Sequence, residues 1–225
     1  MKHNQRGNAF LYILIAIILF AGLMFTISRS RQSETTGTLT EGRAQVAANS
    51  ILAYATSAQN AISNLDIVGT DANTIDFTLP SDATFNNAPT IHKIYHPDGG
   101  SLTYKPLPAD ADGDDGAGLD SGYYIGRFNN VEWTPTATND VLFVAFEIRQ
   151  DVCEAINLKL TGSTTIPSIV GDTIENLMID DTIHGGSNSD FAAANCAACD
   201  EKPALCVSKV AASTKYAFYS LMVAQ

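Results

Sequence analysis

Residues Ala9 to Ile27 read AFLYILIAIILFAGLMFTI, nineteen residues without a charge. At about 1.5 Å of rise per residue, a helix of that length crosses the roughly 30 Å hydrocarbon layer of a bilayer. A cleavable secretory signal has an apolar core of roughly 7 to 15 residues followed by a small-x-small cleavage site. This run is longer and ends in Ser28-Arg29-Ser30-Arg31, so it predicts a retained, single-pass anchor in the lipid bilayer.

Charge is distributed unevenly around that anchor. Lys2 and Arg6 precede it and Arg29 and Arg31 follow it, a balance that leaves orientation to other signals. From Glu34 onward the chain carries 9 basic and 24 acidic residues. Such acidity argues against nucleic acid, whose phosphates need a basic face, and against docking to anionic lipid. It suits a soluble exported domain. The four cysteines, Cys153, Cys196, Cys199 and Cys206, all lie in the distal half, and an even count fits disulfides in an oxidising compartment. The expected topology keeps the amino terminus in the cytoplasm and places the carboxyl-terminal domain outside.

Ser33 to Gly42, SETTGTLTEG, is rich in residues that suit a helix interior poorly and predicts a joint. Thr38 and Glu41 have the spacing of a capping box. A second, amphipathic helix is expected over Leu39 to Leu65, with Ala47, Ile51, Tyr54, Ala58, Ile62 and Leu65 returning every three or four residues, ended by Gly69 and the polar TDANT. The chain thus divides into a basic leader at 1–7, a transmembrane helix at 8–32, the jointed helix at 33–65 and an exported head at 66–225.

In the head, Ile75 to Leu79 reads as a short strand and Thr90 to Tyr104 as a hairpin about the turn Pro97-Asp98-Gly99-Gly100. Further strands are expected at Tyr123 to Thr134 and at Asp140 to Arg149, DVLFVAFEIR, the second apolar enough to be central. Asp151 is expected to cap a short helix that ends near Gly162. A strand or short helix follows near Ile174 to Ile179. The closing run Tyr216 to Ala224 predicts a terminal strand paired inside the sheet. The fold class is α+β, a long hydrophobic and amphipathic amino-terminal helix packed on a mainly antiparallel sheet.

A short basic leader ending in glycine, Lys2-His3-Asn4-Gln5-Arg6-Gly7, followed by an apolar helix that continues into an amphipathic one, resembles the amino terminus of type IV pilins and type II secretion pseudopilins. The resemblance covers roughly the first 65 residues. It implies leader cleavage after Gly7, freeing Asn8, and packing of the amino-terminal helix among other pilin-like subunits at a bacterial inner membrane, with the head periplasmic or extracellular. Two positions depart from the family pattern. Tyr12 stands at the fifth mature position, where a glutamate is usual, and Asn8 replaces the usual aromatic first residue. Those departures point to a minor or atypical subunit. The PDGG turn, the run Cys153-Glu154-Ala155-Ile156-Asn157 and a tyrosine-rich carboxyl-terminal strand after a cysteine also resemble bacterial proteins with a pilin-like anchor and no assigned function. The alternative is a bitopic, signal-anchored extracytoplasmic binding domain, with or without calcium, that does not assemble.

Candidate chemistry is sparse. The loop carrying Asp110, Asp112, Asp114, Asp115 and Asp120 alternates carboxylates with glycines, as calcium ligands are gathered. Counted from Asp110 at position one, it meets an EF-hand pattern there and at positions three and five; Asp115 displaces the glycine and Ser121 the bidentate glutamate. Some pseudopilins hold calcium in a head-domain loop. The two readings are a calcium site and a solvated acidic turn. Cys196 and Cys199 have the spacing of a redox pair but lack its strand–helix context. Zinc held by Cys196, Cys199, Cys206 and either Cys153 or His184 lacks the usual paired spacing. Structural disulfides are the preferred reading. Of the three pairings that four cysteines allow, the one expected joins Cys153 to Cys206 and Cys196 to Cys199. No Gly-x-Ser-x-Gly elbow, His-Glu-x-x-His motif or Walker loop occurs, and the chain is read as a structural subunit, not an enzyme.

Overall fold

A computed structural model describes residues 40–114, 116, 118–179, 190–210 and 214–225. The leader with Gly7 and Asn8, the apolar run Ala9 to Ile27, residues 33–39 of the joint with Thr38, Asp115 and His184 lie outside the described residues. Among those described, no helix is long and apolar enough to cross a membrane.

Helix α1 occupies residues 40–67. Its six expected stripe residues are all buried, with Ile51, Ala58 and Leu65 fully so. The helix stops two residues beyond the expected end because Gly69 adopts a left-handed backbone, φ 87°. There Thr70 N–H bonds Leu65 C=O and Gly69 N–H bonds Asp66 C=O, which satisfies two carbonyls that the helix leaves open. The opposite face carries Asn49, Ser50, Ala53, Thr56, Ser57 and Asn60 to solvent. Ser50, Thr56 and Ser57 turn their hydroxyls back onto the carbonyls of Val46, Leu52 and Ala53.

The sheet is antiparallel throughout, with strands β1 (Gly122–Asn129), β2 (Asp140–Phe146), β3 (Ala204–Val210) and β4 (Thr214–Val223) in the order β1-β2-β4-β3. The carboxyl-terminal strand therefore lies inside the sheet, between β2 and β3. Strand β2 is buried at every residue. Period-two alternation sends Val141, Phe143 and Ala145 to one core and Leu142, Val144 and Phe146 to another.

The first core lies under α1. Tyr54 sits at its centre, with its ring 4.5 Å from that of Tyr123 and 5.9 Å from that of Phe143. The second core lies under an irregular layer that includes the short helix α3 (Ile174–Met178), whose Thr173 side chain caps it by accepting from Asn176 N–H. The same core holds Phe191 and the bonded pair Cys196–Cys199. These parts, from Ala44 to Gln225, make one compact unit.

Helix α2 (Gln150–Thr161) ends at Gly162 in left-handed backbone. Its start differs from expectation. Arg149 is the cap residue and makes no side-chain cap bond; Asp151 lies in the first turn, where it pairs with Arg149 at 2.8 Å. Cys153 and Asn157, four residues apart, share the buried face, as the helical period requires. Cys153 is bonded to Cys206 of β3, 53 residues on, and Asn157 accepts from Cys206 N–H while donating to Cys206 C=O. One residue of β3 is thus held twice, covalently and by its whole backbone hydrogen-bonding capacity. The disulfide closes a loop long enough to contribute about 4 kcal/mol by restricting the unfolded chain.

The expected hairpin at Thr90 to Tyr104 and strand at Ile75 to Leu79 are corrected. Neither forms a ladder; the region is a succession of turns with one isolated parallel bridge, Asp76 to Lys93. The reason is Lys93. Instead of facing solvent on a strand, it is 3 % exposed and its ammonium donates to the carbonyls of Thr84 and Phe85 at 2.6 and 2.9 Å. The PDGG turn then folds tightly against it. A Cβ on Gly99 would stand 2.2 Å from Lys93 C=O, so only glycine fits.

Replacing Asn157 by Ala is expected to lower stability by about 2–4 kcal/mol, because it strands a buried N–H and a buried C=O of Cys206. Denaturant unfolding of the variant with its disulfides intact measures the loss.

Candidate functional site

Three places hold the residues singled out from the sequence. The first is the pair of disulfides. Both Cys196 and Cys199 are buried and bonded to each other, with Cα atoms 5.2 Å apart, and no described cysteine is free. Neither offers a thiolate to a metal or a substrate in this state. Their role here is to close a small loop over the second core.

The second place is the aspartate loop. Asp112 accepts from Asp114 N–H, and Asp114 from Gly116 N–H at 2.7 Å, so these two carboxylates brace the loop's own backbone. Among the described residues no group of three His, Cys, Asp or Glu side chains converges as a metal would require. The loop is fixed instead to the end of β2. Gly113 N–H donates to Glu147 C=O and Arg149 N–H to Ala111 C=O, at 2.8 Å each.

Beneath that loop sits an ionic cluster that the sequence reading missed. Glu147 follows β2 with a left-handed backbone, φ 51°, and is 2 % exposed. Lys215 at the start of β4 pairs with it, and also with Glu175 of α3 at 3.3 Å. The ammonium lies 5.1 Å from the centroid of the Phe146 ring. Burial works against the lysine's charge, but its hydrogen bonds and attraction to the two glutamates prevail and raise its pKa above the usual 10.5. The cluster ties three elements together at one corner of the sheet. Its signal in the sequence was Glu147 inside an otherwise apolar run.

The third place is a groove of about 820 Å³ beside β1, bordered by Phe77, Leu79 and Tyr104 on one flank and by Glu175 and Ile179 on the other. Its floor includes Tyr123, Tyr124 and Ile125. Tyr124 donates to Asp120 C=O at 2.7 Å, and burial with the nearby charge of Asp120 pushes its pKa up to about 12. At the other end Arg127 donates to the carbonyl of Asn73. Of the described residues among the expected calcium ligands, only Asp120 borders this groove.

The chain matches no described protein family, no curated protein and no solved structure.

Two outcomes are expected. Lys215→Met leaves Glu147 buried without its counter-charge and should cost about 3–5 kcal/mol, whereas adding Glu147→Gln to it should restore more than half; chemical denaturation of the single and double variants measures both. Burial also raises Tyr54 to about 12, and Tyr95, Tyr123 and Tyr219 further. A raised folded-state pKa contributes stability that is full below the unfolded value near 10 and lost as pH rises through the folded value. The phenolate absorbance of these four should therefore rise together with loss of structure above pH 10, and their gradual titration in a folded chain would contradict their packing.

Proposed function

We propose that the chain is a membrane-anchored structural subunit of a pilin-like filament or secretion pseudopilus, a minor or atypical member held by its amino-terminal helix. The observation that carries this reading is the basic leader ending at Gly7, set directly before an uncharged span and a second, amphipathic helix. The leader fits processing between Gly7 and Asn8. The span fits a single pass of the bacterial inner membrane, and the two disulfides fit a periplasmic or extracellular head.

The shape of α1 supports the same reading. One face is committed to the head's own sheet. The other carries no charge from Ala44 to Leu65 in a chain of formal charge -11, and three of its hydroxyls are turned back onto the helix. A face of that kind packs against neighbouring helices without burying ions.

The alternative, an anchored binding domain that stays single, shares the anchor and the head and lacks the processing. Intact mass of the protein purified from membranes separates the two. Loss of Met1 to Gly7 with a methyl group on the new amino terminus at Asn8 is expected, and Gly7→Val should leave the leader in place. An uncut amino terminus in the unaltered chain would favour the non-assembling domain.

A further inference from the structure

Lys215 and Glu147 meet in a corner largely closed to water, with side chains 17 % and 2 % exposed. The Lys215 Nζ also lies 3.3 Å from a carboxylate oxygen of Glu175, on a third element. Two further groups wall the corner. The Phe146 ring stands to one side, and the aspartate loop passes so close that a Cβ on Gly118 would come within 3.3 Å of Nζ. One amine therefore has a buried acid against it and a second, more accessible acid beside it.

The backbone departs from the strand to bring this about. Phe146 and Ile148, two residues apart, would share a face in a regular strand, yet they belong to different cores. Glu147 between them takes the left-handed φ of 51°, a strained conformation for a side chain of its kind. Lys215 reaches the same corner without such a bend, since it shares the face of Ala217 and Tyr219 in the second core. A salt bridge at the surface would need neither that conformation nor a second acid. A bond-forming pair uses both, one to fix the approach and the other to carry protons.

We infer that Lys215 and Glu147 condense to an isopeptide bond, with Glu175 relaying protons, independently of whether the anchor assembles. The ammonium passes one proton to Glu175, and the neutral Nζ attacks Cδ of Glu147. As the Nζ–Cδ bond forms and one Cδ–Oε bond breaks, the leaving oxygen takes that proton from Glu175 and a second from Nζ and departs as water. The amide keeps the third proton, Glu175 ends as the carboxylate it began as, and no oxidant or cofactor is consumed. Two effects favour the product. Well-oriented groups react as if at effective concentrations on the order of 10⁵ M or more, which reverses the preference of free amines and carboxylates to stay apart in water. The neutral amide also removes two ions from a buried corner. Lys215 is charged in the ground state, so the reaction draws on a minor neutral form and is slow, as a step made once per chain can be. The bond closes residues 147–215 into a loop with the Cys153–Cys206 and Cys196–Cys199 loops nested inside it.

The test is tryptic peptide mapping by mass spectrometry of the full-length chain, held folded in detergent micelles for several days at physiological temperature. One branched peptide is expected, joining residues 128–149 to residues 210–225 with the loss of one water, because an acylated Lys215 no longer admits trypsin. Neither arm contains a cysteine, so a disulfide cannot imitate the link. Lys215→Arg keeps a cation that does not condense and should give the two arms separately. Glu175→Gln, at a partly exposed position, should slow the appearance of the branched peptide in freshly made protein at least about a hundredfold, the worth of a positioned proton carrier. Separate arms in the unaltered chain would overturn the inference, as would a water loss that maps instead to Asp98-Gly99 or Asp112-Gly113, where a succinimide has the same mass. Linking at an unchanged rate in the Glu175→Gln chain would overturn the relay.

Discussion

Strand β2 exposes none of its seven residues, and this forces the rest of the head into shape. A sheet with both faces apolar has to be covered twice, since each uncovered face would leave large apolar side chains in water at roughly 25 cal/mol per Å². One cover is helical, with α1 and α2 placed over Phe143, Val141 and Phe218. The other, in its described residues, is almost without regular structure. Short α3, Phe191 and the Cys196–Cys199 loop lie over Leu142, Val144 and Tyr219. An irregular layer orders few backbone groups through its own hydrogen bonds, so the local disulfide and the Lys215 cluster anchor it where repeating bonds do not.

This division also explains which features could be read from the residues. The inner stripe of α1, the central place of β2, the terminal strand and α2 are all periodic, and period is what a sequence displays. The expected α+β fold with a helix on an antiparallel sheet follows from those four. Lys93 misled the reading of Thr90 to Tyr104, because alternating polar and apolar residues signal a strand only if the polar ones face water. Its ammonium instead serves the carbonyls of Thr84 and Phe85. The groove was illegible for a related reason. It is made by residues about 50 positions apart, Phe77 and Arg127, whose approach depends on turns that no periodicity announces.

Charge shows a similar split between what is displayed and what is hidden. The excess acid was visible, and most of it is surface. Among the described residues two exceptions are structural. Asp140 is fully buried, its carboxylate receiving N–H groups from Val131 and Gln225 and the Thr134 hydroxyl, so that it gathers the β1–β2 connection and the carboxyl terminus at one corner of the sheet. Burial raises its pKa despite those three donors. Glu147 does the corresponding work at the opposite end of the same strand with Lys215. Both ends of β2 are therefore pinned by an acid that reaches β4 or the chain beyond it, Gln225 in one case and Lys215 in the other.

The aspartate loop gains a physical reason from that second corner. Its Gly113 lies against β2's continuation so closely that a Cβ would stand 2.9 Å from the Ile148 carbonyl carbon. The glycine is thus required by contact with backbone, and its own N–H donates to Glu147 C=O. Glycine at 113 leaves the loop short of local order, which the Asp112 and Asp114 side chains supply by accepting from N–H groups two residues on. Aspartate and glycine alternate because a loop that seals a buried charge needs close approach at one residue and a self-made turn at the next. A carboxylate that accepts one N–H keeps further lone pairs, so this bracing and the gathering of a cation draw on the same alternation.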